Sequence, residues 1–277
     1  MMKAVILTLL LAFSFSTLAI AQDKQSAFDR VMTTNTLKCG YWPWPPLMSV
    51  DPNSGQISGL FKDYMEEVGR VLNLTIEWVE TPLSGFLQDL QYDRVDALCA
   101  GILPVPAASR NVEFTSPVFY TPMHIYARAG DKRFDNQLDT LNDPAITIIS
   151  KDGLAAAEII AVDFPHAKKT MLTDLNPNTD IFESVKTKKA DATLMDILTA
   201  QEYMKANPGV LRQVPHKYPV RVFGQTVAVK KDEMKLKRSI DIATEQLLAN
   251  GSIEKILQKY EPTPGAYLRV AKPYEVR

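Results

Sequence analysis

Residues 37–48 read LKCGYWPWPPLM. The first five, Leu37–Tyr41, have the make-up of a short buried strand. Pro43, Pro45 and Pro46 end it, because proline lacks an amide hydrogen and holds φ near −65°. Two tryptophans and a tyrosine therefore crowd an irregular loop just past a strand end. A core places its largest side chains on regular elements, whereas loops at strand ends are where binding residues gather.

Outward from this stretch the pattern alternates. Leu60, Phe61, Tyr64, Met65, Val68, Val71 and Leu72 recur at helical spacing, which predicts a helix over 60–72. Leu74–Val79 reads as a strand, Leu83, Phe86, Leu87 and Leu90 as a second helix, and Val95–Ala100 as a third strand. That is β-α-β-α-β, the order of a parallel sheet. A second cycle follows: strand Ile146–Ser150, helix Leu154–Val162, strand Lys169–Leu172, helix Asp180–Lys188, strand Ala190–Met195 and helix Ile197–Lys205. Residues 94–98 (RVDAL) and 189–193 (KADAT) each follow a helix and open an apolar strand, so the halves read as analogous lobes. Strand Gln225–Val229 and helices Glu233–Leu248 and 252–260 come last. Asn250-Gly251 separates those helices, and the proline-bearing tail 261–277 reads as irregular. Open α/β sheets bind ligands in the crevice beyond the carboxyl ends of their strands, and the 39–48 loop leaves its strand at such an end.

The first 21 residues carry Lys3, an apolar run from Ala4 to Leu18 and Ala19-Ile20-Ala21, the pattern of a secretory leader cleaved after Ala21. The run is short for a membrane span. Without Lys3 the charge count is 30 basic against 32 acidic residues, which leaves no electrostatic footprint for nucleic acid. Cys39 and Cys99 are the two cysteines. An even count in an exported chain invites a disulfide, with two buried free thiols as the alternative. His124, His166 and His216 lack metal-ligand spacing, and two cysteines cannot build a four-cysteine zinc site. No G-x-S-x-G, P-loop or G-x-G-x-x-G run is present. No metal or cofactor is expected.

LKCGYWPWPPL, GLFKDYMEEVGRVLNL, DRVDALCAG, VEFTSPVFY, KKADATLMD, and VAVKK through LLANGSIEKILQKY stand in an order and spacing that resemble the family 3 periplasmic solute-binding proteins, the amino-acid-binding components of ABC importers. The resemblance runs from Leu37 to Tyr260. It implies an α/β, two-lobed, hinged clamp of the type II periplasmic-binding-protein kind, each lobe a mostly parallel sheet flanked by helices. After the leader (1–21), one lobe would hold 22–120 and 224–277 and the other 124–220, with crossings near 119–123 and 220–224. The strands of Cys39 and Cys99 would be neighbours, within reach of a disulfide beside the cleft. A monomer that docks on a membrane permease in the periplasm is implied.

The chain departs from that pattern in one place. The family's carboxylate-holding arginine falls in the stretch that begins Gly101-Ile102-Leu103-Pro104-Val105, and Ala108 occupies its position. Arg110, two residues on, is the residue that would have to swing in. The second lobe's hydroxyl-bearing turn is here Gly153-Leu154-Ala155. A planar carboxylate asks for a bidentate guanidinium and preorganised donors, and neither stands at the family's positions. The amine-binding aspartate is matched by Asp196, which also precedes a helix and could serve as its N-cap. Trp44 matches the ligand-stacking aromatic, and Tyr41, Trp42 and Tyr120 could line the same mouth. Aromatic faces attract cations. The resemblance thus implies capture of a small nitrogenous solute, amino-acid-like or a cationic amine, without catalysis. The alternatives are a cyclohexadienyl-dehydratase-like enzyme on the same fold or a ligand-sensing module for a membrane signalling partner.

Overall fold

The computed structural model describes residues 25–270 apart from Ser84, Ala107, Asp174, Pro262 and Pro264. The expected leader 1–21 and residues 271–277 of the tail lie outside the described residues.

In chain order the elements are α1 (Ala27–Thr34), β1 (Thr36–Tyr41), β2 (Ser49–Val50), β3 (Ile57–Ser58), α2 (Leu60–Leu72), β4 (Thr75–Glu80), α3 (Phe86–Gln91), β5 (Ala97–Ile102), β6 (Val112–Phe114) and β7 (Phe119–Arg128). There follow β8 (Thr147–Lys151), α4 (Ala155–Asp163), β9 (Lys168–Leu172), α5 (Thr179–Lys186), β10 (Ala192–Asp196), α6 (Ile197–Ala206), β11 (Leu211–Gln213), β12 (Arg221–Lys230), α7 (Met234–Ala249) and α8 (Ser252–Tyr260). Helix α2 shows why the pattern works. Leu60, Phe61, Tyr64, Met65 and Val68 are fully buried along one face, each contributing about 1.5–3 kcal/mol if fully transferred from water. Asn73 then ends the helix in the left-handed region, at φ 55°.

The strands form one hydrogen-bonded path, β4-β1-β5-β12-β7-β10-β8-β9. At one end β1 pairs in parallel with β4 and β5, and at the other β8 pairs in parallel with β9 and β10. The two antiparallel strands in the middle join these ends. Arg221–Gln225 of β12 pair with β7, and Thr226–Val229 pair with β5. Strand β7 continues from Met123 onto β10. Strand β12 therefore starts four residues before the expected Gln225, because its first half is needed to pair with β7. Separate hydrophobic clusters fill the two ends. One centres on β1, α2, α7 and α8, and another on Ile125, Ile148, Ile160 and Leu194.

Cys39 and Cys99 are disulfide-bonded, with Cα atoms 5.4 Å apart on the neighbouring strands β1 and β5. Part of the tail is not irregular. Leu268 exchanges both backbone hydrogen bonds with Tyr120 (2.7 and 2.8 Å), and Tyr267 is buried with its ring 4.5 Å from that of Phe119.

Candidate functional site

A cleft opens where β1, β5, β7, β10 and β12 end, between the two sheet ends. It holds about 1120 Å3 of empty space, its open mouth included. The 42–48 loop forms one wall. Trp44 and Met48 exchange backbone hydrogen bonds (2.7 and 3.0 Å), which close the loop on itself and hold the intervening prolines at the rim. Trp42 and Trp44 both line the cleft. Trp42 also lies against Phe86, with ring centroids 5.3 Å apart.

Asp196 stands on the opposite wall, at the junction of β10 and α6. Its Oδ1 accepts the backbone N–H groups of Leu198 (3.0 Å) and Thr199 (2.9 Å), and its Oδ2 accepts the Thr199 hydroxyl (2.8 Å). It is therefore the N-cap of α6 and a lining residue of the cleft at once. Each carboxylate oxygen has two lone pairs, so Oδ2 keeps one for a ligand. Loss of hydration raises the Asp196 pKa, against the pull of its capping bonds. Among the described residues that line the cleft it alone is ionisable.

Gly101 lines the floor with φ +82°. A Cβ there would lie 2.7 Å from the Phe61 ring and 2.8 Å from Gln225 Oε1. The position thus requires glycine both for its backbone and for the close approach of its neighbours. Gln225, buried on β12, donates from Nε2 to Thr121 Oγ1 on β7 (3.0 Å), and both line the cleft. Neither was singled out in the sequence. Their only signal was their place on the strands that join the two ends.

Three expected residues lie elsewhere. Tyr41 is buried in the core against Trp78, with centroids 5.9 Å apart, because strand alternation turns it to the face opposite the cleft. Tyr120 is tied by its backbone to Leu268 and does not line the cleft. Arg110 is exposed at the end of the short 3-10 helix Ala108–Arg110, while Ala108 is buried and lines the cleft. The position expected to carry a guanidinium thus presents a methyl group. The start of α4 also reaches the cleft through Gly153, Leu154, Ala155 and Ala156. Its N-cap residue Leu154 supplies no side-chain hydrogen bond, so this helix start keeps its partial positive charge uncompensated by a cap.

Two sheet ends joined by a pair of crossing strands, with a deep cleft between, define a solute-binding clamp. Residues 37–263 match the bacterial extracellular solute-binding proteins, family 3, and the chain belongs to that family. Among curated relatives, a probable histidine-binding protein of Campylobacter jejuni is 24% identical over 94% of this chain and 99% of its own length. An L-arginine-binding protein of Pseudomonas aeruginosa is 23% identical over 78% and 84%. Among solved structures, an ancestral amino acid-binding protein described as a precursor of cyclohexadienyl dehydratase superposes with a TM-score of 0.73, at 22% identity, over 85% of this chain and 99% of its own. The protein is a solute-binding protein of the amino-acid ABC-importer type.

Proposed function

We propose that the protein captures a small nitrogenous solute as a cation and delivers it to the membrane permease of an ABC importer. The observation that carries this reading is that the one ionisable group among the described cleft-lining residues, the carboxylate of Asp196, shares the cleft with the half-buried rings of Trp42 and Trp44. A carboxylate and aromatic faces in a partly dry site favour a cation. At Ala108 no guanidinium stands ready for an α-carboxylate. The uncapped start of α4 offers an anion about 0.3–1 kcal/mol, up to about 2 when partly buried, which is less than the several kcal/mol that drying a carboxylate costs. Relatives named for binding histidine and arginine support a nitrogen-rich solute. Residues 22–120 with 224–277 form one lobe in this reading and 124–220 the other. The crossings at 119–123 and 220–224 serve as the hinge, and closure follows from tighter binding to the closed form. The protein acts in the periplasm after removal of its leader, as a monomer.

Capture without turnover suits the same lining. Eliminating water and carboxylate from a ring needs a placed general acid and a cation to hold the carboxylate. The described lining residues hold one carboxyl group, that of Asp196, and no cation to hold a substrate carboxylate.

The test is a thermal-shift and calorimetric comparison of amines with their parent α-amino acids, on protein refolded to strip bound solute. Ligand that binds only the native state raises Tm as ln(1 + [L]/Kd) grows. Amines are expected to bind at least as tightly as the parent amino acids, and Trp44→Ala to abolish binding with little change in the Tm of the free protein. Tighter binding of plain α-amino acids would overturn the reading. Recovery of the bound solute chemically altered would show an enzyme instead.

A further inference from the structure

The cleft does not stop at the gap between the lobes. It continues into the first sheet end, beneath α3 and the 3-10 helix Ala108–Arg110. Half-buried Trp42, Phe86, Val105 and Phe114 line it there, over the buried Ala108, Val112 and Ala228. These residues also belong to one hydrophobic cluster of that end, in which Val112, Ala108 and Ala228 are buried. A core cluster is ordinarily filled to the density of an organic crystal. Here Trp42, Phe86, Val105 and Phe114 instead stay half-buried in the cleft lining, and apolar surface left unfilled there forfeits dispersion contacts. An apolar cavity of this kind takes up apolar molecules in place of water.

We infer that this recess is a side chamber for an apolar tail, and that the solute is an amphipathic amine whose ammonium end meets Trp44 and Asp196. The inference rests on the solute-binding reading above and adds to it a second recognition element of opposite chemistry. Leu103, Val105 and Ala108 are three apolar residues in a row of cleft-lining positions, and Ala108 stands where the resemblance places an arginine. Ala108 is decisive among them. An arginine at that site would lay a long charged chain across the entrance, whereas a methyl group leaves it open. Tail recognition by shape and area needs no hydrogen bond, which agrees with the absence of ionisable residues among the described chamber walls. The remote tail supplies affinity, and the Asp196 end sets polarity and orientation.

The experiment is calorimetry of the refolded full mature protein with n-alkylamines from methyl to hexyl. A matched series of linear α-amino acids carries the same tails. Each added methylene is expected to tighten binding about fourfold until the chamber is full, the factor that corresponds to about 0.8 kcal/mol per buried CH2. Ala108→Phe and, separately, Val105→Phe fill the chamber from two sides and are expected to abolish the rise with tail length. Val105 lies on a half-exposed loop, so this variant keeps the test valid should Ala108→Phe fail to fold. Affinity independent of tail length in both series overturns the chamber, as does a rise that persists in both folded variants. Absence of binding by every member overturns it too, since the longest tails should bind through the chamber alone. Amino acids that outbind amines while still gaining with tail length would sink the head-group reading and leave the chamber standing.

Discussion

Asp196 and Thr199 are joined twice, by the Thr199 N–H to Oδ1 at 2.9 Å and by the Thr199 hydroxyl to Oδ2 at 2.8 Å. The cap and the binding wall are therefore one carboxylate, and its two roles can be separated by mutation. Asparagine caps helices as well as aspartate does, so Asp196→Asn should leave the Tm of the free protein nearly unchanged. It removes the charge, and the affinity for a cationic amine should fall about 10- to 100-fold, the range of a hydrogen bond to a charged group. Asp196→Ala removes the cap as well, for a further loss of about 1 kcal/mol of stability, or about 2–4 °C in a chain of this size. Equal losses of amine affinity and of neutral-ligand affinity in Asp196→Asn would reduce the residue to a cap. Calorimetry and thermal melts read both effects.

Acid should act on the same group in two directions. Burial raises the Asp196 pKa above its ordinary value of 3.8. Amine binding requires the ionised carboxylate, so affinity should decline as pH falls through that raised pKa, while the amine itself stays charged. In the free protein the sign is opposite. A carboxyl that holds its proton more tightly when folded favours folding as pH falls through the folded pKa toward the unfolded one. Calorimetric titration of an amine across the acid range, in wild type and Asp196→Asn, checks this. A pH profile unchanged by the substitution would refute it.

The sequence made the regular elements legible where one face is continuously apolar. Helix α2 spans the expected 60–72 and α8 the expected 252–260, because amphipathic spacing there has a single solution. Strand β7 went unread. Its stretch FYTPMHIYAR contains a proline and a histidine, and its first half is paired with β12, a strand far along the chain, which no local pattern reports. The hairpin of β2 and β3 was missed for a similar reason, since each strand is two residues long. Of the residues expected at the cleft, Trp42, Trp44 and Asp196 do line it, and loop chemistry and a capping position are local features a sequence can carry. Tyr41 was misplaced because a strand residue's face depends on register, and a shift of one position turns a side chain from cleft to core. The chamber was invisible because the residues that wall it come from four separate elements and two loops.

The Cys39–Cys99 bond closes a separation of 60 residues and is fully buried. Loop-closure entropy predicts a stabilisation of about 4 kcal/mol for a loop of that length. A double Cys39→Ala, Cys99→Ala variant should accordingly melt about 10 °C lower, at about 2–4 °C per kcal/mol. The bond joins the neighbouring strands β1 and β5 within one hydrophobic cluster and does not line the cleft, so amine affinity in the folded variant should change much less than Tm. A variant that melts with the wild type would show that the unfolded chain gains little freedom when the bond is removed. Differential scanning calorimetry decides it.

His124 sits on β7 opposite Met195 of β10, with its Nδ1 3.3 Å from His216 Nε2 and 3.0 Å from the Gln213 amide nitrogen. Burial and the neighbouring His216 lower its pKa to about 4. A histidine whose folded pKa lies below its unfolded value destabilises the fold as pH falls, because the unfolded chain binds the proton first. Stability from this group should be full above about 6.5 and be lost progressively down to about 4. His124→Gln, which keeps a hydrogen-bonding side chain without the charge, should flatten the dependence of Tm on pH in that window. An unaltered slope would place the acid sensitivity elsewhere.

Ala108 offers the most direct test of why this cleft differs from that of an α-amino-acid binder. The residue is buried on the cleft wall, in the position where the family resemblance places a carboxylate-holding arginine. A guanidinium there would face the uncapped start of α4 across the cleft, so a carboxylate could be held from both sides. Ala108→Arg is therefore expected to reverse the preference. Affinity for α-amino acids should rise about 10- to 100-fold, the worth of a charge-assisted pair. Long-tailed amines should lose affinity, because the new side chain crosses the entrance of the chamber and places a positive charge beside another. Paired titrations of one amine and its parent amino acid, against wild type and Ala108→Arg, read both changes together. If the variant folds and neither affinity moves, position 108 does not face the solute, and the cationic reading loses the negative half of its argument while Asp196 and Trp44 retain the positive half.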